Sequence, residues 1–514
     1  MQRSAVQRIQ RLIWTATAII LLVHSTPIAA QIPKSANTQT TNVEIQKSLE
    51  MITKVYHLLA TQFADPIDPQ TTIYQGAIRG ALASLDPFSV FLDADQFGGL
   101  KDQQRGVQQG FGAVLSIQSG QVLVLQALPE TPFSRAGLGP GDRILRINGQ
   151  RIANLNLQEL LQVLQDAKKG KASLSVLRSG KVVAEDFELN PAELESSAVD
   201  RVFLLEPGIG YLHISGMEQA TSQEIRSALE SWQANKKLTG IILDLRDNPG
   251  GSLDAAVDIA GLFLPKGSLV VSLRGRSIPG QEYRVSSDPA FPVVPIVVVI
   301  NERSASASEI LAAALQEFDR AWILGQPSFG KGVAESVLPL SEGTALVLTT
   351  ARHFTPKGRS VQRPLPDTAL AGILKNEVHG VLSERGRSLS SSGGVHPDQI
   401  ASSWQLSDWA VWLDQSTAYI NFAQKCLERI GKVAQDFAAD DRIMSDFLQY
   451  LTEADVRVPP LDWKSNQGYL KMRIEMEIFN LVYGMERGNR AEVEADPQVI
   501  IAREAITEMP QLLP

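Results

Sequence analysis

Hydrophobic residues recur at helical spacing in the first part of the chain and in short alternating runs further on. The helical pattern extends over residues 45–63 and 72–85, where Asp86-Pro87 predicts a stop. Between residues 110 and 188 short apolar runs predict strands at 113–117, 122–125, 143–147 and 172–177, with one helix at 155–166. This second segment is therefore predicted to be a small β-rich module.

Strands and helices alternate between residues 208 and 354. Strands are predicted at 210–214, 240–245, 293–300 and 322–324, and helices at 222–234, 253–264 and 308–318. Nearly continuous apolar strands that alternate with helices favour a layered α/β core. Residues 364–394 are rich in loop-forming residues, and helical periodicity dominates from residue 404 to the C-terminus.

The N-terminus has the order of residues found in secretory signals. Arg3, Arg8 and Arg11 precede an apolar run over residues 12–23, and Ala29-Ala30 follows. The run is short for a membrane-spanning helix. We therefore expect an exported protein, located in a bacterial periplasm or at the outer face of the inner membrane. The sequence leaves open whether the segment is cleaved or retained as a membrane anchor.

Composition narrows the function classes. The net charge of −8 argues against a nucleic-acid partner. Cys426 is the only cysteine, so neither an intramolecular disulfide nor a cysteine-based zinc site can form within the chain. The six histidines lie in separate segments without metal-ligand spacing. Only His353 is a candidate for a catalytic triad, and we expect a structural or surface role for it.

Residues 304–309 (SASASE) join an apolar strand to an alanine-rich helix. One interpretation is structural, because Ser306 and Glu309 have the spacing of a helix-capping box. The other is catalytic, because a serine at a strand-to-helix turn projects its hydroxyl group. The amide of Ala307 and the helix dipole would then stabilise an oxyanion.

Lys331 is the candidate base for such a serine. It lies in residues 325–332 (GQPSFGKG), which nearly match a phosphate-binding loop. The match fails at Gly332, where Ser or Thr should hold magnesium, and in the strand-like pattern that follows. A solvated lysine in a glycine turn is the simpler alternative. A desolvated lysine, however, loses its proton readily and can take one from serine.

Residues 244–251 (DLRDNPGG) follow a predicted strand and precede a predicted helix. Asn-Pro-Gly-Gly forms a good turn without any further function. The paired glycines, Gly250 and Gly251, would also let backbone amides converge on a negatively charged oxygen.

Together these segments resemble the carboxy-terminal processing (tail-specific) serine proteases. DLRDNPGG, SASASE and FGKG occur in the family's order, and Lys331 follows Ser306 by the family's 25 residues. Residues 85–89 (LDPFS), 350–352, 356–360 and 393–398 extend the resemblance over roughly residues 44–400. It implies that Ser306 is the nucleophile and Lys331 the base, with an oxyanion hole formed by Ala307 and by Gly250 or Gly251. No metal ion or organic cofactor is implied.

The resemblance also implies an α/β multi-domain architecture. A layered α/β protease core of the ClpP/crotonase type would carry an inserted PDZ-like β module, an N-terminal helical segment and a C-terminal helical domain. The expected ranges are 1–30 for a signal peptide or anchor, 31–105 for the N-terminal helical region, 106–190 for the PDZ-like domain, 191–403 for the protease core with a loop-rich insertion at 364–394, and 404–514 for the C-terminal helical domain.

One position departs from the family pattern. The family usually has Gln four residues after the lysine, where it orients the base, and this chain has Glu335. Residues i and i+4 of a strand share a face, so Glu335 is expected to approach Lys331. A carboxylate there would favour the charged form of the lysine, which is unsuited to act as a base.

The β-rich module resembles a PDZ domain. Gly110, Phe111, Gly112 and Ala113 occupy the place of the carboxylate-binding loop, and residues 137–144 that of the family's tight turn before a strand. Such domains add a peptide strand to a sheet edge and hold its terminal carboxylate on backbone amides. The expected partners are therefore polypeptides with accessible, apolar C-termini.

The expected function is a serine endopeptidase that cleaves polypeptides near or from their C-terminus. The main alternative is a non-catalytic peptide-binding scaffold on the same fold, with Glu335 as the mark of lost activity. A nucleotide hydrolase that uses residues 325–332 is a third.

Overall fold

The computed structural model describes residues 38–513, apart from residues 105–106, 119–120, 129, 140, 179–180, 196, 206, 236–237, 279, 366–367, 369–379 and 391–392. The predicted signal segment, residues 1–30, lies outside the described residues. Within the described ranges no helix combines the length and the apolar character needed to cross a membrane.

The N-terminal region is helical and ends in a turn fixed by Asp86. Asp86 Oδ1 accepts hydrogen bonds from the amides of Phe88 (2.8 Å) and Ser89 (2.7 Å), which closes a turn at the predicted helix stop. The elements are α1 (Thr38–Gln62), a π-helical segment (Gln70–Ile78) that continues as α2 (Arg79–Ala83), β1 (Val90–Leu92) and α3 (Ala94–Gln104).

The β-rich module is an antiparallel sheet in the order β3-β4-β5-β7-β8, so β3 is an edge strand. Its helix α5 packs on the sheet through Leu160, which is fully buried. Strands β2 and β9 pair where the chain enters and leaves the module. The elements are β2 (Val107–Gly110), β3 (Ala113–Gln118), β4 (Gln121–Ala127), α4 (Pro132–Arg135), β5 (Arg143–Ile147), β6 (Gln150–Arg151), a 3₁₀ turn (Ile152–Asn154), α5 (Leu157–Ala167), β7 (Ala172–Leu177), β8 (Ala184–Leu189) and β9 (Ala192–Glu195).

The core is a six-stranded sheet in the order β10-β11-β12-β15-β16-β21, parallel from β11 onward. Alternate strand residues face opposite sides, as in Ile241 and Ile242, and both sides are buried. Helices α6, α7 and α8 cover one face. The elements are β10 (Val199–Leu205), β11 (Ile209–Ile214), α6 (Thr221–Ala234), β12 (Gly240–Asp244), α7 (Leu253–Gly261), β15 (Ile296–Ile300), α8 (Ala307–Glu317), β16 (Trp322–Gly325) and β21 (Gln399–Ile400).

A second, antiparallel sheet adjoins the core and includes a strand from the N-terminal region. The long strand β18 pairs with β1, β13 and β17, and β14 pairs with β13. This pairing brings the segment around Asp86 next to β17 and β18. Besides β1 its elements are β13 (Leu269–Arg274), β14 (Gln281–Arg284), β17 (Val333–Pro339), a 3₁₀ turn (Ser341–Gly343) and β18 (Ala345–Phe354). The hairpin β19 (Val381–Leu382) and β20 (Ser388–Leu389) forms a separate two-stranded sheet.

The C-terminal helices divide between two places. Six of them contribute to a separate core around Phe447 and Ile474, whereas the last helix, α15, covers the second face of the central sheet through Val499, Ala502 and Ile506. The molecule therefore has the expected layered α/β core. The helices are α9 (Asp408–Asp414), α10 (Ala418–Ile430), α11 (Asp441–Glu453), α12 (Pro460–Ser465), α13 (Gln467–Tyr483), α14 (Met485–Ala495) and α15 (Pro497–Leu512).

Candidate active site

Ser306 lies on a sharp, buried turn between strand β15 and helix α8. Its backbone has φ +56° and ψ −117°, a region that non-glycine residues rarely adopt. Neighbouring hydrogen bonds hold the turn: the Ser304 hydroxyl donates to the carbonyl of Leu245 (2.7 Å), and the Ala305 amide donates to that of Asn248 (2.9 Å). The side chain of Ser306 therefore begins at the N-terminus of a helix whose residues are all buried.

The Asn-Pro-Gly-Gly turn packs directly against this serine. A Cβ added at Gly250 would lie 2.8 Å from Ser306 Cβ and 3.0 Å from the Ala307 nitrogen. The Gly250 amide donates to Asn248 Oδ1 (2.9 Å). In contrast, no residue within the described ranges accepts a hydrogen bond from the amides of Ala307 and Gly251. The amides of Ala307 and Gly251 are therefore open in the described part of the chain, and the choice between Gly250 and Gly251 as an oxyanion donor stays a prediction.

Lys331 lies on a turn that meets the Ser306 turn. The amide of Phe329 donates to the carbonyl of Ser304 (2.9 Å), and Gly330 has φ +92° where a Cβ would lie 2.7 Å from Arg363 Cβ. The turn leads into a strand, Val333–Pro339. A phosphate-binding loop leads into a helix, so the structure does not support the nucleotide site considered from the sequence.

The amino group of Lys331 contacts Glu335. Nζ lies 3.0 Å from Glu335 Oε1, and both side chains are almost fully buried. A straight strand would separate residues i and i+4 by about 13 Å, so a shared face alone does not explain this contact. It arises because Lys331 precedes the strand and because the pairing register shifts between Ala334 and Glu335.

Three further groups lie near the Lys331–Glu335 pair. Nζ lies 5.0 Å from the centroid of the Phe88 ring, which comes from the N-terminal region. Burial lowers the pKa of His353 to about 3, and the charge of Lys331 acts in the same direction. Burial raises the pKa of Glu335, Lys331 opposes the rise, and Asp86 adds to it. Sequence reasoning missed Asp86 and Phe88 as neighbours of this pair.

The sequence predicted a structural or surface role for His353, and the structure places it in the interior. It lies in strand β18, is fully buried and finds no hydrogen-bond partner for either ring nitrogen in the described part of the chain. Nor does any hydrogen bond join Lys331 Nζ to Ser306 Oγ within the described residues. The amino group of Lys331 thus contacts Glu335 in this conformation.

The PDZ-like loop has two open amides at the beginning of an edge strand. Gly110 ends β2, Ala113 begins β3, and the carbonyls of Phe111 and Gly112 accept hydrogen bonds from Phe133 and Leu128. The amides of Phe111 and Gly112 donate to no described residue. Open amides next to an unpaired strand edge are what binding of a peptide terminus requires.

Three family profiles match parts of this chain. Residues 208–373 match the profile of peptidase family S41, residues 123–178 that of the PDZ domain, and residues 16–96 one described as the activating protease CtpB N-terminal domain. The carboxy-terminal-processing protease of Bartonella bacilliformis is 34% identical over 350 residues, which cover 67% of this chain and 80% of that protein. CtpB of Bacillus subtilis is 29% identical over 351 residues, which cover 67% and 71%. Among solved structures, a photosystem II D1 C-terminal processing protease covers 68% of this chain and 86% of its own, with 24% identity and a TM-score of 0.38.

The matched domains define a serine peptidase that carries a PDZ domain ahead of its α/β core. The relationship to the Bartonella protein places it further: this chain belongs to the carboxy-terminal-processing proteases of peptidase family S41. It is a serine-type endopeptidase, and its substrates are polypeptides. The family expected from the sequence motifs is confirmed.

Proposed function

We propose that the chain cleaves polypeptides near or from their C-terminus with Ser306 as the nucleophile and Lys331 as the base. The observation that carries this proposal is the junction of two turns 25 residues apart in sequence. At that junction Ser306 adjoins Gly250, and the amides of Ala307 and Gly251 have no acceptor among the described residues. A nucleophile next to two open donors can attack a carbonyl whose oxygen those donors stabilise.

The reaction proceeds in two acyl-transfer steps. Neutral Lys331 takes the proton of the Ser306 hydroxyl while Oγ attacks the peptide carbonyl, and the amides of Ala307 and Gly251 bind the resulting oxyanion. The lysine returns the proton to the leaving amine as the peptide bond breaks. Water then attacks the acyl-enzyme by the same route and releases the carboxylic acid.

Glu335 regulates how readily this base becomes available. In the described conformation Nζ contacts Glu335 Oε1 at 3.0 Å, so the amino group must turn from Glu335 to Ser306 before it can accept a proton. As a carboxylate, Glu335 favours the charged form of the lysine and so makes the neutral base scarcer.

The PDZ domain selects the substrate in this proposal. A substrate tail adds a strand to the edge of β3, and the open amides of Phe111 and Gly112 hold its terminal carboxylate, with Gly110 and Ala113 at the ends of the loop. Helix α5 lines the groove, where the exposed side chain of Leu161 offers an apolar contact. Substrates are therefore polypeptides with accessible, apolar C-termini.

The site of action is proposed to be outside the cytoplasm. The basic, apolar and small residues at positions 3–30 support export to the periplasm or to the outer face of the inner membrane. An uncleaved segment would hold the enzyme at the membrane. Cell fractionation with N-terminal sequencing of the mature protein tests both points.

Digestion of an unfolded protein by the wild type, Ser306→Ala and Lys331→Ala in parallel tests the dyad. Each variant is expected to lose activity by at least about three orders of magnitude, because both groups act in the same step. Ser304→Ala, two residues away in the same turn, is the control for the nucleophile. Loss of activity in the Ser304 variant with normal cleavage by the Ser306 variant would refute the assignment.

Absence of fluorophosphonate labelling at Ser306 in wild type would favour the non-catalytic scaffold.

A further inference from the structure

The carboxylate of Glu309 lies where the Ser306 turn meets the Lys331 turn. It belongs to the first turn of helix α8 and is 1% exposed. Its two oxygens accept four hydrogen bonds from both turns. Oε2 accepts from the amides of Ser306 (2.9 Å) and Lys331 (2.7 Å), and Oε1 accepts from the amide of Gly330 (2.7 Å) and the hydroxyl of Ser328 (2.5 Å).

Helix capping explains only one of these four bonds. A glutamate at the third helical position commonly accepts the amide of the N-cap residue, here Ser306. The other three donors belong to residues 328–331, which lie outside the helix and follow its end by more than ten positions. The side chain is therefore bound to the segment that carries the base as well as to the start of its own helix.

Burial of this carboxylate has a cost that the hydrogen bonds offset. Burial raises the pKa of Glu309, and the bonds from Ser328, Lys331, Gly330 and Ser306 oppose the rise. A buried acidic side chain without such donors would be strongly destabilising. The site thus contains a specific set of donors arranged around a single acid.

The sharing of one oxygen has a geometric consequence. Because Oε2 accepts from the amides of both Ser306 and Lys331, neither turn can move relative to the other without breaking one of these bonds. The Ser306 turn also needs restraint, since Ser306 has φ +56°, which non-glycine residues rarely adopt. Proton transfer between two side chains depends steeply on their relative position, and a displacement of about 1 Å can cost 100-fold in rate.

We propose that Glu309 is a positioning residue that fixes the nucleophile's turn and the base's turn in one arrangement for proton transfer. This inference rests on the Ser306–Lys331 dyad proposed above. Glu309 contacts neither the substrate nor the transferred proton; it acts through the backbones of the two residues that do.

Glu309→Gln tests the proposal while preserving side-chain size. Glutamine has one acceptor oxygen, so two of the four donors lose their acceptor. We expect kcat per active site to fall by about 10- to 100-fold, with KM within about twofold of the wild type. Active-site titration with a fluorophosphonate counts only folded, competent sites, so a loss of folded protein does not mimic the effect.

Glu317→Gln is the matched control. Glu317 lies on the same helix, is fully buried and accepts hydrogen bonds from Arg359 and from the amide of Lys357. Its replacement also removes a buried, hydrogen-bonded carboxylate, but this one lies away from the two turns. We expect it to lower thermal stability and to leave kcat per titrated site within about twofold of wild type. An equal fall of kcat in both variants, or no fall in Glu309→Gln, would overturn the proposal.

Hydrogen exchange in the wild-type enzyme tests the proposal if the Glu309 variant does not fold. The amides of Ser306, Gly330 and Lys331 are expected to exchange at least about 100-fold more slowly than the open amide of Ala307. Exchange of all four at one rate would contradict the inference. Cleavage by Ser306→Ala would refute the dyad itself, whereas an inactive Ser306→Ala with normal kcat in Glu309→Gln would refute only the role of Glu309.

Discussion

At the scale of single residues, the groups around the Lys331 amino group act on its proton in opposite ways. The carboxylate of Glu335 at 3.0 Å and the face of the Phe88 ring stabilise an ammonium ion. The near-complete burial of the pair disfavours separated charges. Since the proposed mechanism starts from the neutral amine, the substitution of Glu for the family's Gln should be visible in the pH dependence of the rate.

Glu335→Gln is expected to move the rising limb of the pH–rate profile to lower pH by about one unit. The change removes the negative charge that favours the ammonium form, so the neutral base becomes available at lower pH and activity near neutrality rises. The measurement is kcat/KM from pH 5 to 10. Ser336→Ala is the control, because the Ser336 hydroxyl bonds to Thr350 Oγ1 (2.8 Å) away from Lys331. Superimposable profiles for wild type and Glu335→Gln would mean that Glu335 is already neutral.

His353 is expected to destabilise the fold in acid. Its pKa is lowered to about 3 by burial, whereas an unfolded histidine titrates near 6.5. As the pH falls from about 6.5 to 3, the unfolded chain binds a proton that the folded one does not. The contribution of His353 to the free energy of unfolding is therefore fully present above pH 6.5. On acidification it decreases by up to about 1.4 kcal/mol per pH unit.

His353→Leu should flatten this acid limb, because leucine fills the buried site without titrating. Thermal unfolding at pH values from 3 to 7 measures the difference. His57, exposed on helix α1, provides the control, and His57→Gln should follow the wild-type curve. Parallel curves for wild type and His353→Leu would show that His353 does not contribute to acid unfolding.

At the scale of elements, the alternation of apolar residues predicted most core strands to within one to three residues. Strands 143–147 and 172–177 agree with Arg143–Ile147 and Ala172–Leu177 at both ends. The pattern missed Val199–Leu205, where Asp200 and Arg201 interrupt the apolar run, and Ala184–Leu189, whose side chains are mostly exposed. Period alone does not reveal a strand such as Ala184–Leu189, which pairs with β7 but has few buried side chains.

Site residues that lie in short sequence motifs could be predicted. Residues that reach the site only through the fold could not. Ser306 and Lys331 stand in short motifs, so the resemblance of those motifs to the family was enough to predict them. Phe88 reaches this place because β1 pairs with β18, from which it is separated by about 250 residues of sequence. His353 reaches it because its strand, β18, pairs with β17. The hydrogen bond from the Gly250 amide to Asn248 Oδ1 was likewise not visible in the sequence motif.

Gly250→Ala tests how closely the two turns must approach. The new Cβ would lie 2.7 Å from the carbonyl oxygen of Ala305 and 2.8 Å from Ser306 Cβ, so the nucleophile's turn must shift. We expect kcat/KM to fall by about 100-fold or more. Gly280→Ala is a matched control, since Gly280 has a similar φ of +107° but open space around it. The Gly280 variant should have the same backbone strain but keep its activity. An equal loss of activity in both variants would show that the clash of the new Cβ with the Ser306 turn is not the cause.

At the scale of the whole molecule, the protease core is assembled from distant parts of the chain. The guanidinium of Arg246 bonds to Asp244 in the strand before the Asn-Pro-Gly-Gly turn and to Asp496 and Gln498 at the start of helix α15. Ile506 of that helix lies against Gly240, where a Cβ would be 2.4 Å away. The last helix is thus a layer of the protease core. Its hydrophobic pattern in the sequence does not distinguish it from the C-terminal helices before it.

The PDZ domain extends this organisation to the substrate. If the open amides of Phe111 and Gly112 hold a terminal carboxylate, amidation of a substrate's C-terminus should weaken binding by about 10- to 100-fold, the value of one charged hydrogen bond. Binding is best measured by calorimetry with the intact Ser306→Ala protein, so that no cleavage occurs, on a peptide pair that differs only in its terminal group. The control is a pair that differs by amidation of an internal glutamate, which should bind equally. Equal affinity of the acid and the C-terminal amide would show that the loop does not recognise the terminus, and substrate selection would then have to reside in the protease core.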